Sequence, residues 1–543
     1  MRGVVLAVAG LAVGASAYHG VPIGAKLASL DRSTRAPSHR ATRAPPSPVA
    51  MAYGKATVPN AEEAAKKNPS LRKADKFKGM KLSERPTKKN TRNRIMKKKE
   101  YKRGGNPFDR EIHQEVGQKM SERFAGELVE QMKEDTFREV TLGEGIRATT
   151  FVLAKQFGFC WGVERSIELA WSAREAYPGK TMHLTNELIH NPGVNELLGG
   201  MDIQFLEKDT EAVGGKRFDA VGDGDVVILP AFGASLEEMQ LLDAKGVTTV
   251  DTTCPWVSKV WTTVDKHELA EMTSLIHGKY QHEEAIATAS MAATYLVIKD
   301  IKQAQEVASY ILGEEGCLTD EEFVAKYKHA SSPHFDPKKH LKRIGLANQT
   351  TMYKKETQAI GKLLEKTMMA KYGPENIAER FAAFDTICDA TQVRQDAVDE
   401  MTNDALTGEN ALDFILVVGG WDSSNTAHLL EIPHERGVPG YHVNTAACIR
   451  PDNSIEHRDV EGNVLVTEGF LALDRPMRVG VTSGASTPDS VVQDCMEALA
   501  LVKKLTPLDA EEGASADDAE AAVGAPPLPL APAPPGFEWG GLY

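Results

Sequence analysis

Phe157-Gly158-Phe159-Cys160-Trp161-Gly162-Val163 is a cysteine turn between two glycines. An apolar, strand-like run at 150–154 precedes it, and a helical pattern at 164–175 follows. The cysteine therefore falls at a helix N-terminus, where unpaired amides and the helix dipole favour a thiolate. The same context recurs at Val250-Asp251-Thr252-Thr253-Cys254-Pro255, with Pro255 suited to the first helical position. It recurs again at Phe384-Asp385-Thr386-Ile387-Cys388-Asp389. Three cysteines that each end a strand are expected to converge on one metal centre.

Outward from these turns, apolar strands alternate with helical patterns from about 147 to 504. Val226-Val227-Ile228-Leu229, Tyr295-Leu296-Val297-Ile298 and Ile415-Leu416-Val417-Val418 are examples. Continuous apolar strands between helices imply parallel sheets covered on both faces. A weak repeat runs through the region: strand plus Cys, strand plus polar loop, strand plus small hydroxyl-rich loop. The polar loops hold His190, then Gly278-Lys279-Tyr280-Gln281-His282-Glu283-Glu284, then Ser423-Ser424-Asn425. The hydroxyl-rich loops are 229–235, 346–351 and 481–487. The fold class expected is α/β, as three similar α/β domains in a pseudo-threefold array. They are placed at 147–253, 254–385 and 386–505, with strand carboxyl ends facing one cavity.

The flanks differ from this body. Residues 1–60 combine a short apolar run ending Ala15-Ser16-Ala17 with an acid-poor, Ala/Ser/Pro/Arg-rich stretch. That reads as a signal peptide followed by a transit peptide, the bipartite presequence of a complex plastid, with a secreted protein as the alternative. The run is too short to span a bilayer. Residues 61–146 are read as a basic arm and an extension helix. Within them, 66–103 carry 17 Lys or Arg against 3 acids. The arm is either solvated or loosely docked, or a landing site for an acidic protein or RNA. A helical period over 109–133 is expected to pack on the body. The tail, 506–543, is rich in Pro, Ala and acids and is expected to be disordered.

Across the 543 residues the formal net charge is -13, which argues against nucleic acid as the main partner. Six cysteines in no C-x-x-C pair suit a reducing compartment better than a disulfide framework. Thiolates at 160, 254 and 388 suit zinc or an iron–sulfur cluster, and either would keep one open position. Buried structural cysteines are the plain alternative, and Cys317, Cys448 and Cys495 are read that way. His190, His282, Ser423, Ser424, Asn425 and Ser486 offer donors suited to a phosphate or diphosphate. Singly, each is an ordinary cap or turn residue. Glu284 could deliver a proton if burial raises its pKa, and Thr350 could pass it on.

The ordered motifs resemble the hydroxymethylbutenyl diphosphate reductase family, in its plant and cyanobacterial branch, from roughly 85 to 504. They include Gly158-Phe159-Cys160-Trp161-Gly162-Val163-Glu164-Arg165, Asn186-Glu187-Leu188-Ile189-His190-Asn191-Pro192, Asn348-Gln349-Thr350-Thr351, Ile387-Cys388-Asp389-Ala390-Thr391-Gln392 and Ser483-Gly484-Ala485-Ser486-Thr487. The resemblance implies a trefoil around a 4Fe–4S cluster held by Cys160, Cys254 and Cys388, with one iron open. It implies an allylic diphosphate substrate held by His190, His282, Ser423, Ser424, Asn425 and Ser486. Glu284 would supply the proton, with Thr350 and His282 in its hydrogen-bond network. The products would be isopentenyl and dimethylallyl diphosphate, at the last step of the methylerythritol phosphate pathway. A plastid setting suggests ferredoxin as electron donor. Phe232 stands where bacterial members carry a histidine, which removes one candidate donor. Two rivals remain at this point: a non-redox hydro-lyase, and a partner-binding protein run by the basic arm.

Overall fold

The computed structural model describes residues 87–104, 107–135, 138–209, 215–406 and 411–507, all within one compact unit. The expected presequence, the arm before Thr87 and all but the start of the tail lie outside the described residues. Three sheets organise the rest. The first runs Tyr101–Lys102, Thr248–Asp251, Val226–Leu229, Met182–Leu184, Ile203–Phe205, every pair parallel. The second runs Phe381–Ala383, Ile344–Asn348, Thr273–His277, Tyr295–Ile298, again wholly parallel. The third has a parallel centre of Gly440–Val443, Phe414–Val418, Met477–Ser483 and Thr149–Leu153. Antiparallel strands finish its edges.

The continuous apolar strands are buried as their pattern implies. Val226–Leu229, Thr273–His277, Ile344–Asn348 and Phe414–Val418 are buried at every position. Each sheet has its own core, such as Leu275, Leu296, Ile344 and Leu346 packed with Ile360 and Leu364 in the second. Burying one such side chain stabilises by about 1.5–3 kcal/mol.

Sheet membership crosses the expected division: Tyr101–Lys102 and Glu139–Leu142, from the extension, join the first and third sheets. Thr149–Leu153 was read as opening the first domain at 147, yet it pairs in parallel with Met477–Ser483 of the third sheet. Phe151 and Leu153 join Val479 and Val481 in the third core. Alternation marks a strand but not its partner, and a parallel partner can come from anywhere in the chain. The consequence is that Cys160 lies at a joint. The strand before it belongs to the third sheet. The helix after it, Trp161–Ala176, buries Ile167, Ala170 and Ala173 against Met182, Ile228 and Val250 of the first. Cys388 is placed the same way: strand Phe381–Ala383 is in the second sheet, and helix Asp389–Ala405 packs Ala397 and Val398 on Ile415 and Val417 of the third. Cys254 ends a first-sheet strand. Its helix, Pro255–Leu269, joins Leu229 of the first sheet to Ala347 of the second through Val257, Val260 and Trp261.

The described end of the basic arm is docked rather than loose. Thr87 caps helix Lys88–Met96, and Tyr101–Lys102 extends the first sheet. Arg92 is buried, donates to Asp265 Oδ2 at 2.8 Å and lies over the Trp261 ring at 5.6 Å. Tyr101 Oη donates to buried Asp251 at 2.9 Å, and Arg103 pairs with the same carboxylate at 3.1 Å. The helical period at 109–133 forms two helices, Arg110–Phe124 and Glu127–Glu134. Gly126 separates them, because a Cβ there would meet Asp489 O at 2.9 Å.

The arm is therefore part of the core's stability. Arg92→Ala leaves Asp265 buried with only half-exposed Lys89 near it. It should cost roughly 3 kcal/mol, since breaking a buried pair is expensive. Exposed Arg94→Ala should change stability by about 0.5 kcal/mol or less. Urea unfolding of both variants checks this; equal small losses would contradict it.

Candidate active site

All three turn cysteines are helix N-caps: Cys160 of Trp161–Ala176, Cys254 of Pro255–Leu269, Cys388 of Asp389–Ala405. Each is free and half-buried. They converge. A Cβ on Gly162 would stand 2.6 Å from Cys254 Sγ and 3.8 Å from Cys160 Sγ, so two thiols face one glycine. Burial, then the charges of Cys160 and Cys388, pushes the Cys254 thiol up to about 12. Burial pushes Cys388 up to about 11 against bonds from Thr391, with Cys160 and Glu284 adding to the rise. The thiols thus repel one another as anions, and a bound positive centre would reverse that preference. Among the described residues no group of three or more His, Cys, Asp or Glu is gathered as a single-ion site. A single tetrahedral ion needs thiolates about 3.8 Å apart, from metal–sulfur bonds near 2.3 Å. Three converging thiols are a donor set that suits a thiolate-bound metal group, an iron–sulfur cluster included. Cys448 and Cys495 are buried in the third core, as expected of structural cysteines.

One hydrogen bond repeats at all three turns and ties each cysteine to a site loop. Cys160 N donates to Ala485 O, Cys254 N to Ala231 O and Cys388 N to Thr350 O, at 3.1, 3.0 and 3.2 Å. These acceptors lie in the three hydroxyl-rich loops of the weak repeat.

The polar residues assemble on those loops. Glu284 is 2% exposed. Its Oε1 accepts from Thr350 N at 2.6 Å and its Oε2 from Thr350 Oγ1 at 2.9 Å. Both bonds favour the carboxylate, but burial outweighs them and raises Glu284 to about 7. Thr350 therefore holds the acid with its N–H and hydroxyl and the Cys388 turn with its carbonyl. His282 caps helix Glu283–Met291, its Nδ1 accepting from Glu284 N at 3.1 Å. That bond assigns the ring proton to Nε2. Burial, with His190 and Lys279 nearby, lowers His282 to about 3 and keeps it neutral. Its Nε2 lies 3.3 Å from His190 Nε2. His190 is braced behind by Glu187 at 3.2 Å and stacked on Phe232 at 4.2 Å between centroids. Phe232 thus orients the histidine it sits beside.

The third loop pair closes the ring. Ser423 caps helix Ser424–Glu435 by accepting from Thr426 N. Asn425 Oδ1 accepts from Ala485 N at 2.9 Å, while its Nδ2 is buried without a partner. Ser486 Oγ donates to His190 O at 3.2 Å, and Asn191 Nδ2 to Ser486 O at 2.8 Å. Gly420 permits this contact, since a Cβ there would lie 2.4 Å from His190 O. His190 and His282 meet directly, as do Glu284 and Thr350; Ser423 is held within its own loop and Asn425 by the 481–487 loop.

Gln349 received no role in the sequence reading. Its Oε1 accepts from Lys279 N at 3.2 Å and its Nε2 donates to Thr351 and, at 3.4 Å, to Ser424. It joins the second domain's loops to the third's. Its only sequence signal was its place beside Thr350.

Residues 151–500 match the family described as LytB protein. A protein of Cyanothece sp. (strain PCC 7425 / ATCC 29141), 4-hydroxy-3-methylbut-2-enyl diphosphate reductase, is 49% identical over 72% of this chain and 93% of its own length. A Botryococcus braunii protein of the same description, marked chloroplastic, is 54% identical over 64% of this chain and 68% of its own. The solved structure of the E-1-hydroxy-2-methyl-but-2-enyl-4-diphosphate reductase from Plasmodium falciparum is 21% identical, covering 65% of this chain and 88% of that one, with a TM-score of 0.46. A family match across most of the body, and a relative about half identical over nearly all its own length, make this chain a member of the LytB protein family.

Proposed function

We propose that this LytB-family chain is a 4-hydroxy-3-methylbut-2-enyl diphosphate reductase that works at a 4Fe–4S cluster on Cys160, Cys254 and Cys388. It is an oxidoreductase of the methylerythritol phosphate pathway, and its products are isopentenyl and dimethylallyl diphosphate. The observation that carries the cluster assignment is the convergence of three helix-capping thiols, two of them across Gly162. Bound there, the cluster supplies electrons one at a time and, with three protein ligands, an iron left open to substrate. The repeated cysteine-to-loop bonds support the trefoil arrangement.

The overall change takes two electrons and two protons, breaks one carbon–oxygen bond and releases water. The chain's own groups divide the remaining work. His282 Nε2–H, His190, Ser423, Ser424, Asn425 Nδ2 and Ser486 hold the diphosphate, with the first-turn amides of Ser424–Glu435 adding donors. The unpartnered Asn425 Nδ2 is a donor awaiting an acceptor. With Glu284, near neutrality in pKa, protonated on Oε2, the 2.9 Å bond reverses, and the acid gives its proton to Thr350 Oγ1 as Thr350 releases its own hydroxyl proton toward the substrate. Loss of the hydroxyl then leaves an allyl unit that takes a proton at either end, which gives the two products.

We place the chain in a plastid, on its acid-poor leader and its chloroplastic relative. Ferredoxin is the donor that this setting favours. No helix among the described residues is long and apolar enough to cross a membrane. A requirement for reductant separates this reading from a hydro-lyase, which would turn over without one.

Two tests follow. In anaerobically purified protein, Cys160→Ser, Cys254→Ser, Cys388→Ser and Gly162→Ala should each lose most of the iron and sulfide. Cys317→Ser, Cys448→Ser and Cys495→Ser should keep them. Full iron in Cys254→Ser would remove the assignment.

The second test concerns the proton. The acid form of Glu284 exists below about pH 7 and is lost as pH rises through that value. Single-turnover reduction should therefore slow above neutrality. Glu284→Gln should lower the rate by about 10²–10⁴-fold and remove that limb, with substrate affinity little changed. A variant within about threefold of wild type would rule out the proton role.

A further inference from the structure

We propose that Arg394 is the charge that sets the redox level of the cysteine site, while it also fastens the Cys160 turn to the Cys388 helix. The inference rests on the cluster reading above. Arg394 lies on Asp389–Ala405, the helix that Cys388 caps, and is 4% exposed. Its hydrogen bonds all go to carbonyl oxygens: Nη1 to Ala390 O at 2.9 Å, and Nη2 to Gly158 O at 2.6 Å and Phe157 O at 3.3 Å. Phe157 and Gly158 open the turn that ends at Cys160. Nε is buried without a partner.

A buried guanidinium ordinarily pairs with a carboxylate. Among the described residues none pairs with Arg394. Burial depresses its pKa, and the charges that oppose this are Cys160 first, then Cys388, then Glu164. The group stays cationic, since arginine is not deprotonated in proteins. Arg394 thus lies between the helix that Cys388 caps and the turn that ends at Cys160, whose thiols would ligate the cluster. One electron from an external reductant adds one negative charge between those thiols, in a site with little water to screen it. A fixed cation there stabilises the reduced form more than the oxidised one. Arg394 donates to backbone carbonyls and not to substrate, so it is a positioning residue, and its effect is on a potential.

The test compares Arg394→Gln, which keeps donors for the carbonyls but loses the charge, with Arg394→Lys, which keeps the charge but loses the fork. Iron and sulfide are counted, and the midpoint is found by redox titration followed by electron paramagnetic resonance. Arg394→Gln should load and be harder to reduce by at least tenfold in the equilibrium constant, about 59 mV for one electron. Arg394→Lys should stay within about threefold of wild type. Loss of iron from Arg394→Gln alone, with Arg394→Lys at the wild-type midpoint, also supports the charge. A loaded Arg394→Gln at the wild-type midpoint overturns the proposal, as does a loaded Arg394→Lys shifted as far as Arg394→Gln. Loss of iron from both leaves Arg394 a fastener and overturns it too. Wild type without a cluster would instead overturn the parent reading.

Discussion

Everything in this molecule depends on bringing three thiols from three sheets to one place. Each is delivered by a strand of one sheet and followed by a helix that packs against another sheet, so the joints between sheets are also the positions proposed for the cluster's ligands. The thiols themselves impose a constraint at Gly162, where any side chain would collide with Cys254 Sγ at 2.6 Å. Helix N-termini lower the cost of gathering anions, because their free amides and dipoles are positive ends. The amides of Trp256 and Val257 do this at Cys254, although burial still dominates there.

A second constraint couples the thiols to the acid chemistry. Thr350 accepts from Cys388 N and donates twice to Glu284, so ligand and acid cannot move independently. Burial drives Glu284 toward neutrality and His282 away from protonation, in opposite senses of charge but for the same reason: neither ion is well solvated. The result is one neutral acid and one neutral donor side by side, a pairing that a solvated loop would not give. The Phe232 stack and the Asn191–Ser486 bond then fix His190 against the third domain's loop.

The sequence made the cysteine turns, the helix starts and the buried parallel strands legible, because each is a local pattern with a local cause. Pro255 at the first helical position and the run Val226–Leu229 are of this kind. The polar set around Glu284, His282 and His190 was legible through its repeated place after strands and through family motifs. Pairing was not legible. Thr149–Leu153 reads as a strand wherever it goes, and only packing with Val479 and Val481 decides that it joins the third sheet. Nor does pattern reveal the antiparallel hairpin of Ser454–Arg458 and Val464–Glu468, whose outer strand is apolar yet exposed. Arg394 and Gln349 were hidden for another reason: each acts through groups distant in sequence, and neither residue type marks that on its own.

A cluster held by the three thiolates would leave one iron free of protein ligands. A Mössbauer spectrum of iron-57-labelled, anaerobically purified protein tests it most directly. The account predicts about three irons alike and one distinct, with the distinct signal alone changing when the allylic diphosphate is added. Four like irons, or a spectrum indifferent to the substrate, would contradict it.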